Sequence, residues 1–191
     1  MKLLAPGKFE PGRAFTFLVR TLAVATLLSA CTPVASTPTA TATVPDLTPY
    51  TDTVFGFSFL YPKEAILTPE EELGYPRIDL PVQPGTNLRE KYVEVYTSFY
   101  ENGCAIPQDP EVSDAEFNGV AFVFESGADA GAGNYYEWER YTTNNGSACV
   151  SLYFVLHSTN PDNYDEPPPV FDDAAERAVI GKILSTFSWS Q

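Results

Sequence analysis

The segment Ser147–Ser158 places an apolar residue at every second position: Val150, Leu152, Phe154 and Leu156. A period of two marks a β-strand, because successive side chains on a pleated backbone point to opposite faces. A row that is apolar throughout needs a core on its side, so this strand is expected near the centre of a sheet. The preceding run, Asn134–Thr143, sets Tyr136 and Trp138 on one face and Glu137 and Glu139 on the other. Between the two lies Asn144-Asn145-Gly146, residue types that tolerate positive φ, and the pair reads as a β-hairpin. Asn145-Gly146-Ser147 also fits a glycosylation acceptor, for which a hairpin turn is sufficient explanation.

Other runs alternate in the same way. Val54–Leu60 aligns Phe55, Phe57 and Phe59 and is ended by Tyr61-Pro62. Lys91–Tyr100 sets Val93, Val95, Thr97 and Phe99 against Tyr92, Glu94, Tyr96 and Ser98. Gly119–Glu125 is a further strand and Arg77–Val82 a weaker one, while Gly127–Gly133 reads as a flexible connection. The chain closes with a helix over Asp173–Phe187, whose apolar stripe is Val179, Ile180, Ile183, Leu184 and Phe187. Strands followed by a terminal helix predict an α+β fold: an antiparallel β-sheet flanked by helices, with a C-terminal amphipathic helix. Its domain is expected to span residues 51–191.

The N-terminal region is of a different kind. Lys2, Lys8, Arg13 and Arg20 precede an uncharged stretch, Thr21–Ala30, which is followed by Cys31. A basic region, a short apolar run and small residues form the pattern of a secretory signal peptide over residues 1–30. Ten helical residues at about 1.5 Å each reach only half of a hydrocarbon core of about 30 Å, so a spanning helix is disfavoured. Leu28-Ser29-Ala30-Cys31 resembles a bacterial lipobox, which implies that Cys31 is lipidated and becomes the first mature residue. Acyl chains contribute about 0.8 kcal/mol per buried CH₂, enough in pairs for durable anchoring at the cell membrane on its extracytoplasmic face. Residues 31–50 follow as a Thr/Pro-rich tether; Pro-rich chains extend by up to about 3.1 Å per residue and act as semi-rigid spacers.

The whole chain carries 11 basic and 25 acidic side chains, net −14, and residues 1–30 hold four of the bases and one acid, so without them the net charge is −17. Nucleic acid is thereby excluded as a partner, since a phosphate backbone requires Lys/Arg density. The expected partners are the membrane, through the lipid anchor, and a protein of the cell envelope.

Phe55-Gly56-Phe57-Ser58-Phe59-Leu60-Tyr61-Pro62, the Trp-containing hairpin and the closing Thr186-Phe187-Ser188-Trp189 together resemble PsbP/Mog1-like domains. The resemblance implies an antiparallel sheet flanked by helices, and an accessory binding or assembly role rather than catalysis. It carries over no ligand-binding residue.

Cys104 follows one strand and Cys149 begins another, and outside the membrane such a pair is expected as a disulfide. His157 is the sole histidine, so any hydrolase of the Ser-His or Cys-His type must use it. Asp162, Asn163, Asp165 and Glu166 form an acidic loop offering oxygen ligands for Ca²⁺, without EF-hand spacing. Glu70-Glu71-Glu72 reads as a solvated charge run. The preferred reading assigns no catalytic residue, no metal ligand and no cofactor: a membrane-anchored, non-catalytic binding or assembly module. An envelope hydrolase using His157 and a Ca²⁺-assisted binding domain stand as the alternatives.

Overall fold

Strand β9 (Ala148–Thr159) lies fourth of seven in the larger of two antiparallel sheets, the central position expected of its apolar row. A computed structural model describes residues 46–100, 104 and 112–190 of the chain, so the expected signal segment, Cys31 and the expected tether as far as residue 45 lie outside the described residues. On one side β9 pairs with β5 (Leu88–Phe99), then β4 (Arg77–Asp79) and β3 (Ile66–Thr68). On the other it pairs with β8 (Asn134–Asn144), then β7 (Val120–Gly131) and β6 (Ser113–Phe117). The smaller sheet is β1 (Leu47–Asp52), β2 (Phe57–Pro62) and β10 (Ser188–Trp189), with β2 in the middle. Helix α1 (Glu70–Leu73) is one exposed turn carrying the three glutamates, and α2 (Asp173–Leu184) is the long C-terminal helix. The architecture is the α+β fold expected from the strand patterns.

One core joins these elements. Val150, Leu152 and Phe154 on β9 meet Val93 and Val95 on β5, Phe122 on β7, and Ile180, Ile183 and Leu184 on α2. From the smaller sheet Phe57, Phe59 and Tyr61 enter the same cluster. Phe187 is fully buried, with its ring 5.6 Å from Phe57 and 5.3 Å from Phe122. Aromatic pairs at such spacings add about 0.5–1.5 kcal/mol each beyond the area they bury.

Helix α2 is fixed by polar contacts as well. The Asp172 carboxylate caps its first turn by accepting from the Ala175 amide at 3.1 Å. Arg177 reaches Asp173 on its own helix, and Glu137 (2.5 Å) and Glu139 on β8. Lys91 on β5 forms a buried ion pair with Glu176. Three basic and acidic anchors therefore hold the helix over β5, β9 and β8.

Four local expectations are corrected. The first strand does not run from Val54: Asp52 accepts the amides of Val54 and Phe55 at 2.9 Å, Gly56 has φ +71°, and the strand starts at Phe57. This turn lets β1 fold back, so residues from Leu47 onward, composed like the tether, pair with β2, and Tyr50 stacks on Phe59 at 4.9 Å. Helix α2 ends at Leu184 rather than Phe187: Ser185–Thr186 form a turn, and the Thr186 hydroxyl accepts the Leu60 amide at 2.8 Å, aligning Ser188–Trp189 with β2. Finally, Gly127–Gly131 are not a connection but the second half of β7, paired with β8 through Gly131↔Asn134.

Candidate functional site

The two faces of the seven-stranded sheet differ because α2 and the smaller sheet cover only one. The outer face collects the alternate residues: Cys149, Ser151, Tyr153 and His157 on β9, Tyr92, Glu94 and Tyr96 on β5, and Tyr136, Trp138 and Arg140 on β8. Register places Tyr136 opposite His157 and Arg140 opposite Tyr153.

A row of rings crosses this face. Tyr75, just beyond α1, lies 5.0 Å from Tyr96, Tyr96 6.4 Å from Tyr153, and Tyr153 5.7 Å from Trp138. Trp138 lies over Gly127 of the neighbouring strand: a Cβ added there would fall 2.4 Å from Trp138 Cζ2. The glycine that resembled a flexible connector is therefore the floor on which the indole rests, an aromatic covering a bare backbone position.

Charged groups are set between the rings. The Arg140 guanidinium stands 5.0 Å from the Tyr153 centroid and 5.9 Å from that of Trp138, within cation–π range. Its Nη1 is 2.8 Å from Glu125 Oε1, yet that oxygen is buried with no hydrogen bond, so the pair is held by charge rather than by a well-aligned bond. Glu94 is buried and accepts from the Tyr96 hydroxyl at 2.6 Å. Desolvation, reinforced by this hydrogen bond and the glutamate charge, pushes the Tyr96 pKa upward. Burial and the Glu94 charge likewise raise Tyr92 to about 12. The tyrosines are thus kept as neutral O–H donors far above physiological pH.

Beside the row lies a polar depression of about 310 Å³, walled by Tyr96, Ser98, Arg140, Thr142, Ser151 and the disulfide. Cys104 and Cys149 are bonded, with Cα atoms 5.6 Å apart, as the two-strand argument expected. Thr142 and Ser151 share a hydrogen bond of 2.7 Å across β8 and β9. Hydroxyls, a guanidinium and flat rings make a surface suited to recognition of a polar partner.

The sequence-derived catalytic candidate is occupied. His157 Nδ1 lies 3.2 Å from a Glu90 carboxylate oxygen and Nε2 2.9 Å from Asn134 Oδ1, with the ring stacked on Tyr136 at 4.4 Å. Both ring nitrogens are thus engaged by neighbouring side chains, Glu90 on β5 and Asn134 on β8. His157 staples β9 to β5 and β8. In the acidic loop, Asn160 caps a 3₁₀ turn over Pro161–Asn163, and Asn163 Nδ2 donates to the Gly133 carbonyl at 3.4 Å. Among the described residues no three His, Cys, Asp or Glu side chains group closely enough to hold a metal ion. The sequence reading missed the ring row, although the alternation of Tyr92, Glu94 and Tyr96 against the apolar side of the same strand was its signal.

No protein-family model matches this chain, and no curated protein matches it. Among solved structures it is similar to a Bacteroides thetaiotaomicron protein, with 13% identity over 75% of this chain and 48% of that one, at a TM-score of 0.48. The chain thus spans about half the length of that protein. It is also similar to LpqN, involved in cell envelope biogenesis of Mycobacterium tuberculosis (12% identity, 76% of this chain, 91% of that chain, TM-score 0.44). A third similar structure is cyanobacterial PsbP (CyanoP) from Synechocystis (14% identity, 85% of this chain, 98% of that chain, TM-score 0.44).

Proposed function

We propose that this chain is an extracytoplasmic lipoprotein, anchored through Cys31, whose folded module binds a protein of the cell envelope without catalysis. The outer face of the seven-stranded sheet is its binding surface. The observation that carries this reading is the uncovered row of Tyr75, Tyr96, Tyr153 and Trp138 with Arg140 set beside it. Tyrosine, tryptophan and arginine are the residue types that dominate binding energy at protein interfaces, because each offers a rigid apolar body and a polar tip. The Cys104–Cys149 disulfide supports an oxidising location. The engagement of both His157 nitrogens favours binding over hydrolysis.

Two arms test the proposal. Wild type fed radioactive palmitate should incorporate label and sediment with membranes, whereas Cys31→Ser should remain unlabelled and soluble; an unlabelled wild type refutes the anchor. Crosslinking in intact cells should then give a protein adduct that Tyr96→Ala with Trp138→Ala abolishes and His157→Ala leaves in place. An adduct insensitive to the ring substitutions refutes the outer face as the binding surface.

A further inference from the structure

On the opposite side of the molecule from the ring row, the core is open to a cavity of about 500 Å³ between β2 and α2. Its walls are aliphatic: Leu60 and Pro62 from β2, and Val179 and Ile183 from α2. Lys91 also lines it, with only 4% of its surface exposed. The Lys91 ammonium has three donors. One is donated to Glu176, and among the described residues the ammonium makes no second hydrogen bond. A buried ion pair is costly to desolvate and stabilises little when its remaining donors go unmatched. An ammonium with donors to spare at an aliphatic cavity is therefore a site for an acceptor-bearing ligand.

We propose that this cavity binds a single-chain aliphatic carboxylic acid, carboxylate inward on Lys91 and alkyl chain against Leu60, Pro62, Val179 and Ile183. The volume is that of a small-molecule site. Among the described residues no aromatic ring lines the cavity, which favours an alkyl chain over a planar body. Hydrogen bonding sets the orientation. The exposed rim carries both signs, Asp46 and Glu64 with Lys182 and with Lys63 3.7 Å from Asp46, and favours neither end of the ligand. At the floor a carboxylate accepts from the donors that Lys91 does not give to Glu176. The site shares no residue with the outer face and is independent of the proposed binding there.

The test uses the full-length protein in phospholipid nanodiscs, titrated with decanoate carrying a ¹³C-labelled carboxyl and read by NMR against empty nanodiscs. Decanoate should bind saturably and decanol at least tenfold more weakly. Octanoate should bind roughly 15-fold more weakly than decanoate, the loss expected for two buried methylenes. Val179→Trp, which fills the cavity, should abolish binding. Replacing the ion pair together, Lys91→Met with Glu176→Leu, leaves no unpaired charge and should preserve the fold while removing the preference for acid over alcohol. Absence of saturable decanoate binding, equal affinities for decanoate and decanol, or a Val179→Trp variant that binds like wild type would each overturn the proposal.

Discussion

The two faces of the large sheet are built from the same strands, and alternate residues of β9 divide between them. Val150, Leu152 and Phe154 are sealed under α2 and the smaller sheet, while Ser151, Tyr153 and His157 face outward. The inner face carries the apolar core, together with the Lys91 and Arg177 ion pairs that tie α2 to the sheet. The outer face gives aromatic residues a polar tip and charged residues a partner, so each can stay half-buried at little cost. The difference teaches that an apolar core and a ring-bearing polar surface are separated here by a single residue step along the strand.

That separation can be broken experimentally, beginning with the largest effect. Phe154→Ala, at the centre of the inner face, should cost about 3–5 kcal/mol of unfolding free energy. Its neighbour, Tyr153→Ala, should cost less than half as much. Equal losses in urea denaturation would refute the asymmetry. Cys104→Ser with Cys149→Ser opens a loop set by a sequence separation of 45. The chain-entropy model assigns about 4 kcal/mol to a loop of that size, again measured in urea. Gly127→Ala presses a methyl into the Trp138 indole and should cost about 1–3 kcal/mol while shifting tryptophan fluorescence. Adding Trp138→Leu should recover most of that loss, because the obstruction is the ring and not the backbone.

The tyrosines supply a pH signature on both faces. Burial and the Asp52 charge raise Tyr50 to about 12, and burial and Glu94 raise Tyr92 to about 12. The unfolded chain loses these protons near pH 10 while the folded chain retains them. The native state therefore binds more protons in that window, and stability should fall as pH rises from about 10 towards 12. Tyrosinate absorbance at 295 nm should accordingly rise late and together with unfolding. An early rise with the fold intact would place these hydroxyls in water.

Much of this division was legible in the chain. The apolar row from Val150 to Leu156 located the central strand, and the stripe Ile180, Ile183, Leu184 located the covering helix, because hydrophobic period survives into tertiary structure. The disulfide followed from two cysteines beside strands. The edges were harder. Strand β6 was not anticipated, although Asn118-Gly119, with φ of +51° and +72°, is the strongest short hairpin signal between it and β7. Strand β1 has the Thr/Pro composition of a spacer and becomes a strand only because β2 offers it an edge. The ring row could not be read locally at all: Tyr75, Tyr96, Tyr153 and Trp138 come from four separate segments, and Gly127 acquires its role from a residue eleven positions away.

The most direct measurement compares two tyrosines of one exposure on opposite faces. Tyr96, on the outer face, and Tyr135, whose register on β8 puts it on the inner side, are each 39% exposed. With p-benzoylphenylalanine replacing each in turn, irradiation of intact cells should yield a discrete protein adduct from position 96 and none from position 135. The same adduct from both positions, or from position 135 alone, would contradict an outer face dedicated to binding.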